Sequence, residues 1–323
     1  MERVLVSIHC TTYNHEKYIA DAIESFLMQK TIFKFEILIH DDASTDRTAD
    51  IIRDYEKLYP ELIKPIYQTE NQHSKGRSIS RIILKRTQGK YIALCEGDDY
   101  WTDPYKLQKQ LDYMEKHPEC SLCVHGGYIV NASEKKMISK HRISKRNKLF
   151  TVEEVIIGGG ALFLTNSMFY PTKYEEIRPA FFEIAPVGDY PTAINLSLLG
   201  TVYYIDESMS AYRTGVSNSW TARNASIKKK TEHYYEIAAM LDEINQYTNG
   251  KYKSTIDHRK YQNQVFLLLE QRKFKEAKSA KNKEYYLSLG YKQRFVIFLN
   301  QYCPTILQLM IFAKRRWSKW EIR

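Results

Sequence analysis

Residues 91–99 read Tyr-Ile-Ala-Leu-Cys-Glu-Gly-Asp-Asp, a short apolar run that ends directly in three acids. A run of five uncharged residues has the length and composition of a buried strand. The same arrangement occurs twice upstream. Val4 to Ile8 leads into Thr11-Thr12-Tyr13-Asn14, and Phe35 to His40 leads into Asp41-Asp42. Between these runs the period changes. From Glu16, apolar residues fall at Ile19, Ala22, Ile23, Phe26 and Leu27, which lie on one face of a helix. After Asp42 the capping types Ser44, Thr45 and Asp46 open a second helix, with Ile51, Ile52, Tyr55 and Leu58 inward. Ile63–Tyr67 reads as a third strand, Ile79–Leu84 as a short helix and Pro104–Lys116 as a longer one. Strands alternating with helices over short connections predict an α/β fold with a parallel sheet covered on both faces. In such sheets ligands sit beyond the carboxyl ends of the strands, where all three polar clusters converge.

Further along, the pattern is mixed. A basic, loop-like stretch runs from Lys135 to Lys148, Gly158-Gly159-Gly160 precedes an expected strand over 161–164, a helix is expected over 193–199 and a strand over 202–205. Beyond Asn224 the chain is rich in Lys and Tyr and helical in pattern. The expected division is a catalytic unit over 1–224, with a donor-side part at 1–103 and an acceptor-side part at 104–224, followed by a helical region over 225–323.

The chain has 323 residues, 48 Lys and Arg against 38 Asp and Glu, and a net charge of +10. Its 27% charged and 13% aromatic content is that of a globular protein and excludes wholesale disorder. A basic balance fits nucleic acid, an anionic membrane face or a phosphate-bearing substrate. Five scattered cysteines imply no disulfide framework and favour a reducing compartment. No uninterrupted apolar run reaches the roughly 18 residues of a transmembrane helix, and the N-terminal apolar run is short for a signal peptide. The expected location is the cytoplasm or the cytoplasmic face of a membrane.

Acids two apart at a strand end can meet a hydroxyl pair and a hard cation. Mg²⁺ and Mn²⁺ are commonly held by one or two carboxylates together with substrate phosphates. The alternative, a solvated acidic turn, loses ground because Glu96-Gly97-Asp98-Asp99 follows a buried strand beside two similar clusters.

VSIHCTTYNHEKYIADAIESFLMQ, FEILIHDDASTDRTADII and GKYIALCEGDDYWTDPYKLQKQLDYME resemble the nucleotide-sugar half of glycosyltransferase family 2 in order and spacing. A looser match through PVGDYPTAINLSLLGTVYYIDESMSAYR extends the resemblance to about residue 220. The resemblance implies a GT-A fold and inverting transfer of a sugar from a nucleotide diphosphate, usually UDP. It places Thr11, Tyr13 and Asn14 at the base and ribose pocket, Glu16 at the first helix, and Asp41 at the base with Asp42 beside it. Asp98 and Asp99 then form the DxD-type site, directed at ribose and at Mn²⁺ or Mg²⁺, with Glu96 where relatives often carry Asp. Lys75, Arg77 and Arg81 lie in a segment that often helps hold the nucleotide. Asp189 of Gly188-Asp189-Tyr190 matches the general base, though an Asp preceding a helix is also a good N-cap. Gly158-Gly159-Gly160 resembles the segment under the sugar, and Arg213 and Trp220 fall in a flap near the diphosphate.

Other constellations are weaker. His117, Cys120, Cys123 and His125 have zinc-like spacing, but residues three apart on a strand point to opposite faces. His9 and His40 read as core histidines with satisfied hydrogen bonds, or as partners of each other or of an acid. Neither a GxGxxG after a strand nor a GxSxG occurs. A nucleic-acid binder is the first rival, yet acids at the strand ends would repel a phosphate backbone. A nucleotidyltransferase, the second rival, normally shows a Gly-rich basic first loop, which TTYNHEKY is not. Near the C-terminus the apolar stretch 294–313, broken by Pro304, precedes Lys314, Arg315, Arg316, Trp317, Lys319 and Trp320. That pattern suits an interfacial segment on an anionic membrane, or helices packing on the catalytic unit or on another copy. The implied partners are a nucleotide-sugar donor and a glycan or polyprenyl-diphosphate-linked oligosaccharide acceptor in bacterial surface polysaccharide synthesis, without nucleic acid.

Overall fold

The computed structural model describes residues 3–310 apart from 177, 217–222, 225, 307 and 308. The chain divides into two compact units, 1–223 and 224–323.

In the first unit, β1 (Val4–Thr12), α1 (Ile19–Leu27), β2 (Lys34–Asp41), α2 (Thr48–Leu58), β3 (Ile63–Tyr67), α3 (Ile79–Leu84) and β4 (Tyr91–Leu94) alternate as the periodicities predict. β5 (Tyr100–Trp101), α4 (Lys106–Lys116), β6 (Cys120–Asn131), β7 (Met137–His141), β8 (Lys148–Phe150), α5 (Val152–Gly158), β9 (Phe169–Pro171), α6 (Lys173–Glu176), α7 (Asp189–Leu199) and β10 (Thr201–Thr214) complete it. The sheet runs β3-β2-β1-β4-β9-β6-β10-β5, with β7 on β6 and β8 on β10. β3, β2, β1 and β4 are parallel, and so are β6 and β10. The chain leaves β1 for β2 on one side and returns to β4 on the other, so the crevice at the β1/β4 ends is a topological switch point.

One sheet face is apolar. Val6, Ile8, Cys10, Ile37, Ile39 and Ala93 are buried with Ile19, Ile23 and Phe26 of α1, and Phe26 meets Trp101 edge-on at 4.9 Å. Alternation along the strands sends Ser7, His9, Glu36 and His40 to the opposite face. There Ser7 Oγ donates to Glu36 Oε1 at 2.6 Å, the Gln88 N–H donates to the same oxygen at 2.8 Å, and His9 Nε2 pairs with Thr87 Oγ1 at 2.8 Å. His9 is thus a satisfied core histidine. His40 is not, since neither ring nitrogen has a hydrogen-bond partner.

Three sequence expectations need correction. The strand expected over 161–164 is absent; Gly159–Ala161 forms a 3₁₀ turn and the strand falls at Phe169–Pro171, antiparallel between β4 and β6. Tertiary pairing decides this, because a three-residue strand has no period to read. The basic stretch 135–148 contains β7, antiparallel to β6. Its residues are mostly exposed, so no apolar alternation marks it. The expected strand at 202–205 is the first third of the 14-residue β10. Cys120 and Cys123 are free thiols buried in β6, as their spacing on a strand implies.

The second unit is helical among its described residues: α8 (Ile227–Tyr247), α9 (Lys253–Glu270), α10 (Phe274–Ala277), α11 (Lys283–Ser288) and α12 (Tyr291–Tyr302). Ile237, Met240, Leu241 and Ile244 of α8 are buried, as are Ile256 and Val265 of α9.

Candidate active site

The two loops after β1 and β2 brace one another. Asn14 (φ 57°) and Ala43 (φ 61°) both adopt the left-handed conformation. For Asn14 the strain is offset by two cross-loop bonds: its N–H donates to Ser44 Oγ at 2.9 Å, and its Oδ1 accepts from the Thr45 N–H at 2.8 Å. Glu16 Oε2 accepts from the Arg47 N–H at 3.1 Å, and Asp46 accepts from the Glu16 and Thr48 N–H groups at 3.1 and 2.9 Å. The N-cap position of α2 is Arg47, without a side-chain cap; Asp46, one of the capping types expected there, lies one residue earlier and bonds the first N–H of the helix. Ser44 donates both its hydroxyl and its N–H to the Asp41 carboxylate, whose pKa burial nevertheless raises. Asp42 faces inward; Oδ1 accepts from the Gln72 N–H at 2.7 Å and Oδ2 from the His73 N–H at 3.1 Å. Of the residues expected at the base pocket, Asn14, Glu16 and Asp42 hold the loops in shape. Thr11, Tyr13 and Asn14, in and after the end of β1, are half-buried.

The acid cluster is hooked to β1 by the Gly97 N–H, which donates to the Thr11 carbonyl at 2.9 Å. Only glycine fits there, since a Cβ would lie 2.6 Å from Thr12 Oγ1 and 2.7 Å from Thr12 Cβ. Asp98 and Asp99 then part company. Asp99 is buried, with Oδ2 accepting from Asn166 Nδ2 at 2.9 Å and Oδ1 from the Arg213 N–H at 2.8 Å. Asp98 keeps 17% of its side chain exposed, and its Oδ2 lies 3.9 Å from His15 Nε2. Burial lowers the pKa of His15 and Asp98 opposes the shift. Both oxygens of Asp99, expected to meet the cation with Asp98, already accept a hydrogen bond within the fold, while Asp98 keeps the more exposed carboxylate.

Glu96 has its Oε2 sealed from solvent without a partner, and Thr12 Oγ1 and His15 Nδ1 share that condition. Burial, then the charges of Asp98 and Asp189, push Glu96 up to about 8. Buried polar atoms are nearly always paired, so three orphans around Asp98 mark a place for a polar ligand. A hard cation takes oxygen ligands and often only one or two carboxylates. The free Asp98 carboxylate and the orphaned Glu96 oxygen fit that requirement, although no group of three or more His, Cys, Asp and Glu among the described residues is arranged to hold a metal.

Arg213 departs from the expected contact with a leaving group. Its side chain is fully buried, pairs with Asp21, donates from Nη1 to the Asp98 carbonyl at 2.6 Å and lies over the Tyr100 and Tyr18 rings at 4.6 and 5.2 Å. It holds the Asp98 peptide in place. Trp220 lies outside the described residues. Arg77 donates to Gln72 Oε1 at 2.8 Å, Lys75 pairs with Glu70, and Arg81 meets Glu183 at 3.4 Å.

Across the cleft, α7 begins at Asp189. The N-cap position belongs to Gly188, so Asp189 sits in the first turn and is not the cap. Its Oδ1 accepts from the Tyr190 N–H at 2.7 Å, and burial raises its pKa. Tyr190 Oη donates to the Ile156 carbonyl at 2.6 Å and ties α7 to α5. Gly160 adjoins the carboxylate, where an added Cβ would stand 4.0 Å from Asp189 Oδ1. Asp189 and Asp98 are near enough for their negative charges to raise the pKa of Glu96.

Sequence reading passed over His15, Asn166 and Asp21. His15 carries a local signal, its place in the loop after β1. Asn166 and Asp21 carry none, because their roles come from partners distant in the chain. A separate open hollow of about 560 Å³ lies in the second unit, lined by Lys253, Ser254, Asp257, His258, Tyr261 and Tyr285, none of them an expected site residue.

Comparison with known proteins bears on the family and the fold. The family described as Glycosyl transferase family 2 matches residues 7–170. An uncharacterized protein of Mycobacterium tuberculosis (strain H37Rv) is 33% identical over 250 residues, covering 76% of this chain and 69% of its own. A Bacillus subtilis protein named as a teichuronic acid biosynthesis glycosyltransferase, TuaG, is 31% identical over 235 residues, covering 72% of this chain and 87% of its own. Among solved structures, Staphylococcus aureus TarS 1–349 with UDP-GlcNAc superposes with a TM-score of 0.58 at 16% identity, over 92% of this chain and 79% of that one. The mannosyltransferase PcManGT of Pyrobaculum calidifontis, with GDP-Man and Mn²⁺, gives a TM-score of 0.57 at 14% identity, over 99% and 88%. With its curled, mostly parallel sheet and flanking helices of the GT-A type, the chain belongs to glycosyltransferase family 2.

Proposed function

We propose that this glycosyltransferase is an inverting, metal-dependent hexosyltransferase that moves a sugar from UDP to a hydroxyl of a bacterial surface glycan or of a polyprenyl-diphosphate-linked oligosaccharide. The observation that carries the reading is the cluster of orphaned polar atoms around Asp98, facing Asp189 at the switch point of the sheet. Thr11, Tyr13 and Asp41 line the base and ribose side. Asp98, with Glu96 beside it, would hold Mn²⁺ or Mg²⁺; when bound, the ion neutralises the diphosphate and eases its departure. Arg213 and Asp99 keep the Asp98 backbone fixed. Asp189 accepts the proton of the acceptor hydroxyl. The freed oxygen pair forms the bond to the anomeric carbon opposite the diphosphate, and the old C–O pair leaves on the phosphate. A raised carboxylate pKa suits this step, because a general base works best near the operating pH.

A cytoplasmic membrane face is supported by α12 and the residues after it. Phe295, Val296, Phe298, Tyr302, Ile306, Leu309 and Met310 are exposed, and a basic, Trp-bearing sequence follows outside the described residues. No helix among the described residues is long and apolar enough to cross a membrane.

Calorimetric titration of UDP, GDP and their sugars, with and without Mn²⁺, tests the donor site. UDP binding that needs the metal and is lost in Asp98→Ala is the expected result, and absence of binding to every nucleotide overturns the reading. Co-sedimentation with phosphatidylglycerol vesicles tests the membrane contact. Self-association of α12 without vesicle binding would assign that face to a second copy.

A further inference from the structure

The basic stretch from Glu134 to Lys148 contains seven lysines and arginines against one glutamate. Three of these cations are spent within the fold: Lys135 on Asp21 at 2.6 Å, Arg142 on Asp206 with Nε 2.6 Å from Oδ1, and Lys148 on Glu154 at 2.5 Å. Lys140, Lys145 and Arg146 are exposed and have no acidic partner among the described residues. Lys140 Nζ stands over the Tyr128 ring at 5.7 Å.

The stretch is tied to the candidate active site at its start and at its middle. At one end Lys135 pairs with Asp21, the partner of Arg213, and Arg213 holds the Asp98 carbonyl. At its middle, His141 Nε2 donates to the Leu162 carbonyl at 2.9 Å, two residues beyond the Gly160 that adjoins Asp189. Gly126 and Gly127 of β6 permit this close packing; a Cβ on Gly126 would stand 3.1 Å from the His141 carbonyl, and one on Gly127 2.5 Å from Leu164 Cδ1. The stretch thus links the Asp21–Arg213 pair, which holds the Asp98 peptide, to the segment that adjoins Asp189, with its unpaired cations exposed.

We propose that this basic stretch is an acceptor rail: Lys140, Lys145 and Arg146 bind a glycan chain that carries phosphate or carboxylate groups and deliver its hydroxyl end to Asp189. The inference rests on the glycosyltransferase reading above and adds the chemical class of the acceptor. Exposed cations beside a cleft raise the local concentration of a polyanion and its association rate. Residues 134–148 hold no Phe, Tyr or Trp, so the stacking platform that single-stranded nucleic acid uses is missing. Met137 and Ile138, 54% and 61% exposed, offer apolar contact to sugar ring faces alongside the cations.

Fluorescence anisotropy with labelled poly(ribitol phosphate), hyaluronan oligosaccharide and neutral dextran of matched length tests this on the full chain. Both anionic probes should bind, with affinity falling as salt rises. The variant carrying Lys140→Glu, Lys145→Glu and Arg146→Glu should lose about tenfold or more, and the matching triple Gln variant should lose less. Binding by one anionic probe alone assigns the charge to phosphate or to uronate. Equal binding of dextran, unchanged affinity in both variants, or preferential capture of oligouridylate or phosphatidylglycerol vesicles by the same three residues overturns the proposal. UDP affinity is measured on the same samples, so a failed donor site registers there and not in the polymer binding.

Discussion

Asp99 accepts hydrogen bonds from Asn166 and Arg213 inside the protein, whereas Asp98, one residue earlier, keeps part of its carboxylate in solvent. Substitution should separate their roles. Asp99→Ala strands two buried donors and should lower stability by about 2–3 kcal/mol in denaturant unfolding. Asp98→Ala should change stability by less than about 1 kcal/mol while abolishing metal-dependent UDP binding. Equal stability losses in both would refute the division. Lys106 is a second residue-scale case. It is buried, with Nζ 2.8 Å from Gln110 Oε1 and 4.0 Å from the Trp101 ring centroid, and burial pushes its pKa down to about 7. Between pH 7 and the ordinary lysine value near 10.5, the unfolded chain keeps a proton that the folded chain has released. Unfolding then takes up protons, so this residue makes stability rise with pH across that window. Urea unfolding of the wild type and Lys106→Met at pH 7, 8 and 9 should show a slope that the variant lacks.

At the scale of elements, α7 sets the chemistry by where it starts. Its first residue points the Asp189 carboxylate at the end of the Gly159–Ala161 turn, and the bond from Tyr190 to Ile156 fixes that position. Asp189→Asn keeps the shape and removes the proposed base. It should reduce kcat by about 10² to 10⁴ with UDP affinity unchanged. Because burial raises the carboxyl pKa, the acid limb of the wild-type pH–rate profile should lie above the ordinary aspartate range, with the rate increasing as pH rises through it. A limb at the ordinary position, or an Asn variant with full activity, would remove Asp189 from the reaction. The loops after β1 and β2 show how legible an element can be. Apolar spacing at Ile19, Ala22, Ile23 and Phe26 locates α1, and all four are buried. β9 shows the opposite, since three residues acquire strand geometry from β4 and β6 on either side.

For the molecule as a whole, the first unit holds the described sheet and every expected site residue within the described range, and the second has a helical core of its own. We expect a chain ended at Arg223 to unfold cooperatively and bind UDP as the full chain does, while losing vesicle binding. Loss of nucleotide affinity on truncation would show that the helical unit contributes to the donor site. The net charge of +10 has two unlike sources at this scale: the cations of residues 134–148 and the basic C-terminal sequence. On the proposals made above, the first serves an anionic acceptor and the second an anionic bilayer, so salt should weaken both interactions independently.

What the sequence determined by itself was the set of properties that depend on near neighbours. Period 2 and period 3.6 alternate within windows of about ten residues, which is enough for the order of strands and helices, the fold class and the convergence of three polar clusters on one sheet edge. Family membership was legible for the same reason, because its motifs are contiguous. Which acid keeps an exposed carboxylate was not legible. Asp98 and Asp99 are equivalent as letters, and they differ because Asn166 and Arg213, 67 and 114 residues away, close on one of them. Arg213 likewise looked like a cation for a leaving group until Asp21 and two tyrosine rings enclosed it. His40, read as a core histidine, is buried without a partner. A hydrogen bond between distant residues requires the sheet to close first, so the identity of the free carboxylate is a property of the tertiary structure alone.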